Sequence, residues 1–142
     1  MTDPLEDPCR ACGSRDGIRS DPGWACAYCG WLVGTYIDPD LPPPRIDVVY
    51  YLRHRDRVKI GTTSNPRQRF AAIWHEELLA FERGDRTLEH RRHEQFAADR
   101  FTGSEWFRMS RPLRAHITTV SAGVADPWQV HARWVSEAYA AR

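Results

Sequence analysis

No apolar run in the 142-residue chain approaches the roughly 20 residues that a membrane-spanning helix requires. The mean hydropathy of −0.61 fits the same exclusion. The opening stretch, residues 1–8, is acidic and holds Pro4 and Pro8. It lacks the basic and apolar stretches of a secretory leader. The expectation is a soluble intracellular protein, cytoplasmic and without a membrane partner. Lysine is nearly absent: Lys59 stands alone against nineteen arginines. Coding bias in a GC-rich genome explains most of that imbalance, and it still makes Lys59 worth following. Internal repeats are missing beyond one pair of cysteine motifs.

What is present suffices for a folded core. Hydrophobic residues make up 42% of the chain, aromatics 11% and charged residues 27%, an ordinary globular balance. The length suits one domain, or one small domain with an attachment. The net charge of +1 conceals an asymmetry. Residues 1–40 carry three arginines against seven acids, a net of −4, whereas residues 41–142 carry a net of +5. The second part is compatible with a phosphate-backbone partner.

Cys9 and Cys12, then Cys26 and Cys29, form two C-x-x-C pairs, each followed by a glycine, Gly13 and Gly30. Zn²⁺ takes four soft donors in a tetrahedron, and a tight turn lets both sulfurs of a pair aim at one ion. The glycine permits a left-handed backbone at the turn. Two disulfides or a redox pair are the alternatives. A cytosolic compartment disfavours the first, and a redox pair needs no twin. Four thiolates leave no open position for water, so the zinc is expected to be structural. A ribbon of this size buries too little core, and metal binding must supply much of its folding energy.

Asp38 to Pro44 has no apolar periodicity, and Pro42-Pro43-Pro44 favours an extended spacer. Four segments follow: a zinc ribbon at 1–37, a proline-rich linker at 38–46, a second module at 47–120 and a C-terminal amphipathic helix at 121–142. In the second module, residues 48–52 and 57–61 read as a strand pair, and 78–83 as a third strand. Asn65 and Pro66 open a helix with Phe70, Ile73 and Trp74 as its buried stripe. A second helix covers about residues 86–100, and Pro112 opens a third to about residue 120. The last helix presents Trp128, Val130, Trp134, Val135 and Ala138 as apolar positions. Its tryptophans need cover from the core or a second subunit, so a monomer or a homodimer is expected.

Val49-Tyr50-Tyr51-Leu52, Val58-Lys59-Ile60-Gly61, Pro66-x-x-Arg69, Glu89-x-x-x-His93-x-x-Phe96 and Glu105-Trp106-Phe107 occur in that order. Together they resemble the GIY-YIG nuclease family, most closely its phage-associated branch with V-K-I-G as the second motif. The resemblance spans about residues 47–118. It implies an α+β fold, a three-stranded antiparallel sheet flanked by helices, and a metal-dependent endonuclease cleaving DNA phosphodiesters. It further implies one Mg²⁺ or Mn²⁺. Tyr50 matches the first-motif tyrosine, Arg69 the helix arginine and Glu89 the metal-binding glutamate. Lys59 replaces the second-motif tyrosine. The family's later asparagine has no clear counterpart; Glu105 lies in that region without being its equivalent.

Those residue types suit the chemistry. A hard carboxylate such as Glu89 holds Mg²⁺ or Mn²⁺. Arg69 grips phosphate oxygens with a planar fork. Tyr50 can take a proton from water if a cation, with Lys59 as the candidate, lowers its pKa. His93 joins the candidate catalytic set, with packing or substrate orientation as its favoured role. Strand alternation sends Tyr50 to one face and Val49 and Tyr51 to the other. Each residue also has a plainer role open to it. Tyr50 suits strand packing, Lys59 a solvated edge, Arg69 a pair with Glu76 or Glu77, and Glu89 a pair with Arg86 or Arg92. Trp106 and Phe107 read as core rather than a base-stacking platform. The alternative function is an inactive nucleic-acid-binding or protein-interaction module on the same fold, and a further one is an unrelated zinc-ribbon protein. Substrate strandedness, and DNA against RNA, stay open.

Overall fold

Strand-forming sequence produces two separate antiparallel sheets in the computed structural model, which describes residues 1–21 and 23–142. The chain divides into two units, Met1–Arg45 with Trp128–Arg142, and Ile46–Pro127.

In the first unit, β1 (Asp3–Pro4), β2 (Asp16–Ser20) and β3 (Gly23–Cys26) pair in that order. The two C-x-x-C turns have the same construction. Gly13 N–H donates to the Cys9 carbonyl at 2.7 Å, and Gly30 N–H to the Cys26 carbonyl at 2.9 Å. Both glycines sit at φ +83°, a conformation that a side chain strains.

The second unit is built on β4 (Val48–His54), β5 (Arg57–Thr63), β6 (Glu77–Arg83) and β7 (Trp106–Arg108). The sheet order is β6-β4-β5-β7, all antiparallel. The three strands expected from sequence are present, and β7 adds a fourth. Three residues are too few for alternation to announce a strand. Val49, Tyr51, Val58, Ile60, Ala80 and Phe107 send their side chains into one core. Phe96 closes it from just past the end of α2 (Arg86–Gln95), and Leu113 and Ile117 from α3 (Arg111–Val120). Nine such groups removed from water, at roughly 1.5–3 kcal/mol for each large one, supply the driving force for this unit.

The opposite face carries Tyr50. Its ring meets Phe70 edge-on at 5.0 Å, and Phe70 stacks on Phe81 at 5.9 Å. Phe70 comes from α1 (Pro66–Ala71). Asn65 caps that helix, accepting from Gln68 N–H, and Pro66 occupies its first turn. The helix stops at Ala72, earlier than the sequence periodicity suggests. Ile73 and Trp74 therefore leave its buried stripe, and Trp74 is 82% exposed. Tertiary pairing draws the chain into β6 at Glu77 instead. The second helix is likewise shorter than expected, ending at Gln95.

The fourth helix, α4 (Pro127–Ala140), starts at the end of the second unit and otherwise belongs to the first. There Ala132 and Ser136 are buried, and Tyr139 meets Trp31 edge-on at 6.0 Å. Ala132 packs beside the cysteines, with Tyr139 against the same cluster. Trp128 and Trp134 remain half-buried. No helix among the described residues is long and apolar enough to cross a membrane.

Candidate active-site cleft and metal centre

The cysteine turns bring four sulfurs together. All lie within 4.8 Å of one another, with Cys9 to Cys29 at 3.7 Å and Cys12 to Cys26 at 3.6 Å. A disulfide needs about 2.05 Å, so these are four free thiols. A tetrahedron of sulfurs about 2.3 Å from a metal has edges of about 3.8 Å, close to these spacings. Burial and the neighbouring Cys9 and Cys26 push the Cys29 thiol up to about 11, against backbone donation from Trp31. Burial also pushes Cys12 up. It acts on Cys26 too, but N–H groups of Cys29 and Tyr28 outweigh it and bring that thiol down. Four such groups in one knot repel when ionised, and a bound cation relieves them. The cluster can hold a metal ion, and soft thiolates suit zinc.

In the second unit, β4 and β5 set the position of Tyr50. Tyr50 pairs with Gly61 across the sheet, and Leu52 with Lys59. The Tyr50 ring lies across Gly61 so closely that an added Cβ would stand 2.3 Å from the hydroxyl. The glycine of the V-K-I-G motif is therefore room for Tyr50. Burial raises the Tyr50 hydroxyl pKa. Arg69, within hydrogen-bonding reach, pulls it down, and Glu105 and Glu89 push it up again. Arg69 comes from α1, Glu89 from α2 and Glu105 from the turn before β7. Arg69 is itself held more firmly protonated by Tyr50, Glu105 and Glu89.

Glu89 is 8% exposed. Burial first, then the Glu105 carboxylate, holds it above the usual carboxylate range, while His93, His90 and Arg86 act against them. Tyr50, Arg69, Glu89 and Glu105 thus share one electrostatic environment. Of the plainer pairings, those of Arg69 with Glu76 or Glu77 and of Glu89 with Arg92 are taken up elsewhere: Glu76 and Glu77 bind Arg53 at 3.2 and 3.1 Å, and Arg92 binds Glu82, while Arg86 still acts on Glu89.

One role differs from the sequence expectation. The cation at Tyr50 is Arg69, not Lys59. Lys59 Nζ sits 3.2 Å from Glu105 Oε2 and 5.6 Å from the Trp106 ring centroid. Glu105 is 46 residues downstream of Lys59, a pairing that only strand β7 creates. His93 acts as a positioning residue. Its Nε2–H donates to the Ile60 carbonyl at 2.8 Å, its ring packs on Phe107 at 5.1 Å, and Glu89 lies 3.9 Å away. That contact fastens α2 to β5 and so places Glu89.

Tyr51 faces the other side. It donates to Glu82 Oε1 at 2.8 Å and meets His116 Nε2 at 2.9 Å, so Tyr50 is the tyrosine of the cleft.

Comparison of the chain with family models, with curated proteins and with solved structures gives no match.

Proposed function

We propose that the chain is a divalent-metal-dependent DNA endonuclease of the GIY-YIG kind, with a structural zinc held by Cys9, Cys12, Cys26 and Cys29. The observation that carries this reading is that Tyr50, Arg69 and Glu89, from three separate elements, lie close enough to act on one another electrostatically.

Glu89, with Glu105 beside it, offers the one or two hard carboxylates that Mg²⁺ or Mn²⁺ takes, water completing its shell. The raised pKa of buried Glu89 marks an anionic pocket that a cation would relieve. Such an ion, when bound, polarises the phosphate and stabilises the leaving oxygen. Arg69 directs its planar fork at phosphate oxygens as their charge grows. The Tyr50 hydroxyl orients the attacking water. Its phenol is protonated at neutral pH, so proton removal from that water strengthens as pH rises into the alkaline range. Glu105 holds Lys59 at the edge of the cleft. His93 keeps α2 seated.

The test is incubation of the zinc-loaded chain with single-stranded, duplex and branched DNA, with Mg²⁺, with Mn²⁺ and with neither. Omission is preferable to chelation, which would also strip the cysteine cluster. Cutting should require the ion, climb with pH, and fall roughly 100- to 1,000-fold in Arg69→Ala. Tyr50→Phe should flatten the alkaline rise. Ion-independent cutting, or equal cutting by Glu89→Ala, overturns the mechanism. Retained DNA binding without cutting on any substrate supports the inactive module instead. Native mass measurement should find one zinc per chain.

A further inference from the structure

Trp74 occupies an unusual place for an indole. It stands just beyond the end of α1, the helix that carries Arg69, and 82% of its surface is in water. An indole so exposed contributes little to the core. It is the first of three rings in a row. The His54 ring lies 6.4 Å from Trp74, and Trp106 lies 6.4 Å beyond His54. The interplanar angles are 77° and 71°, so His54 stacks face to face with neither tryptophan. The row ends beside Lys59, whose Nζ lies 5.6 Å from the Trp106 centroid and is paired with Glu105 at 3.2 Å. One nearby acid, Glu76, is balanced by Arg53 at 3.2 Å and by the Arg55 N–H at 2.8 Å. The row therefore does not confront a phosphate strand with unpaired negative charge from that residue.

Aromatic side chains beside backbone-binding cations are the elements of single-strand recognition, because every base has a π-face to stack. A base in duplex DNA has both faces covered by its neighbours. We propose that Trp74, His54 and Trp106 form a stacking platform for unpaired bases, and that the substrate is DNA with a single-stranded segment next to the scissile phosphate. This rests on the nuclease reading of the cleft. Arg69 takes the phosphate, and the ring row takes the bases on one side of it.

The experiment uses the full zinc-loaded chain carrying Glu89→Gln, without added divalent ion. Fluorescence anisotropy reads its affinity for a thymine homopolymer and for a duplex of equal length. Trp74→Ala in that background should weaken single-strand binding at least about fivefold and leave duplex binding unchanged. Trp74→Phe should retain most of the single-strand affinity. Equal affinity of Trp74→Ala and its parent for the single strand overturns the platform. So does an equal loss on both probes, or no single-strand binding by the parent. A parallel cleavage assay of otherwise wild-type chains separates the two readings. Glu89-dependent cutting that ignores Trp74 defeats the platform alone. Trp74-dependent single-strand binding without cutting defeats the nuclease alone. An RNA homopolymer as a third probe decides the sugar: binding tighter than the thymine strand overturns DNA as the ligand.

Discussion

Tyr50 and Tyr51 are neighbours on one strand, both are buried, and burial raises the pKa of both hydroxyls. Their surroundings are opposite. Behind the sheet, Tyr51 donates to Glu82, Arg92 pairs with Glu82, and His116 completes the group. Burial opposes ionisation of Glu82, but Arg92 and Tyr51 outweigh it and hold the carboxyl low. In the Tyr50 group, Glu89 is held high by burial and by a second carboxylate. The same residue type is thus shifted in opposite directions in the two tyrosine groups. The back is a closed network, whose role is to hold β6 and α2 together. The Tyr50 group keeps a carboxyl whose ionised form burial opposes, and a bound cation would offset that cost.

Breaking the back should therefore hurt the fold, and neutralising Glu89 should help it. Glu82→Ala leaves Arg92 without its carboxylate, and about 2–3 kcal/mol of stability should be lost. The denaturant midpoint would fall with its slope unchanged. A change within about 0.5 kcal/mol, the range of an ordinary surface substitution, would dissolve the contrast. Gly61→Ala sets a methyl against the Tyr50 hydroxyl. Overpacking of that kind costs about 1–3 kcal/mol, and cleavage should drop as Tyr50 is displaced. The smallest effect is Glu89→Gln, which should gain roughly 0.5–1 kcal/mol. Its sign depends on pH. The raised Glu89 carboxyl favours the fold below the ordinary carboxylate range, and that contribution disappears as pH rises through its own pKa. The advantage of Glu89→Gln should therefore grow from acid toward neutral pH. Glu82 behaves oppositely: its contribution is present above the ordinary range and vanishes as pH falls through its lowered pKa.

Much of this arrangement is legible in residue order. Val49, Tyr51, Val58 and Ile60 alternate into the core and leave Tyr50 and Lys59 on the other side, because strand geometry has a period of two. Asn65 and Pro66 announce the start of α1 through local chemistry alone. The cysteine turns are equally local. What sequence leaves hidden depends on tertiary competition. Ile73 and Trp74 have helical spacing after Phe70, yet strand pairing of β6 ends the helix first. Ala132 and Ser136 are the buried positions of α4, and small residues admit close approach without a hydrophobic signature. Glu105 meets Lys59 only once the short β7 has joined the sheet. Its position just before Trp106-Phe107 is the one signal sequence offers.

The most direct measurement pairs two readouts on one sample. Wild-type and Glu89→Gln chains, each zinc-loaded, are assayed for Mg²⁺-dependent DNA cleavage and for thermal midpoint at neutral pH. The contrast between the two groups predicts that Glu89→Gln melts at least as high as wild type and no longer cuts. A variant that cuts as well as wild type would contradict it, and so would one that fails to cut because it has unfolded.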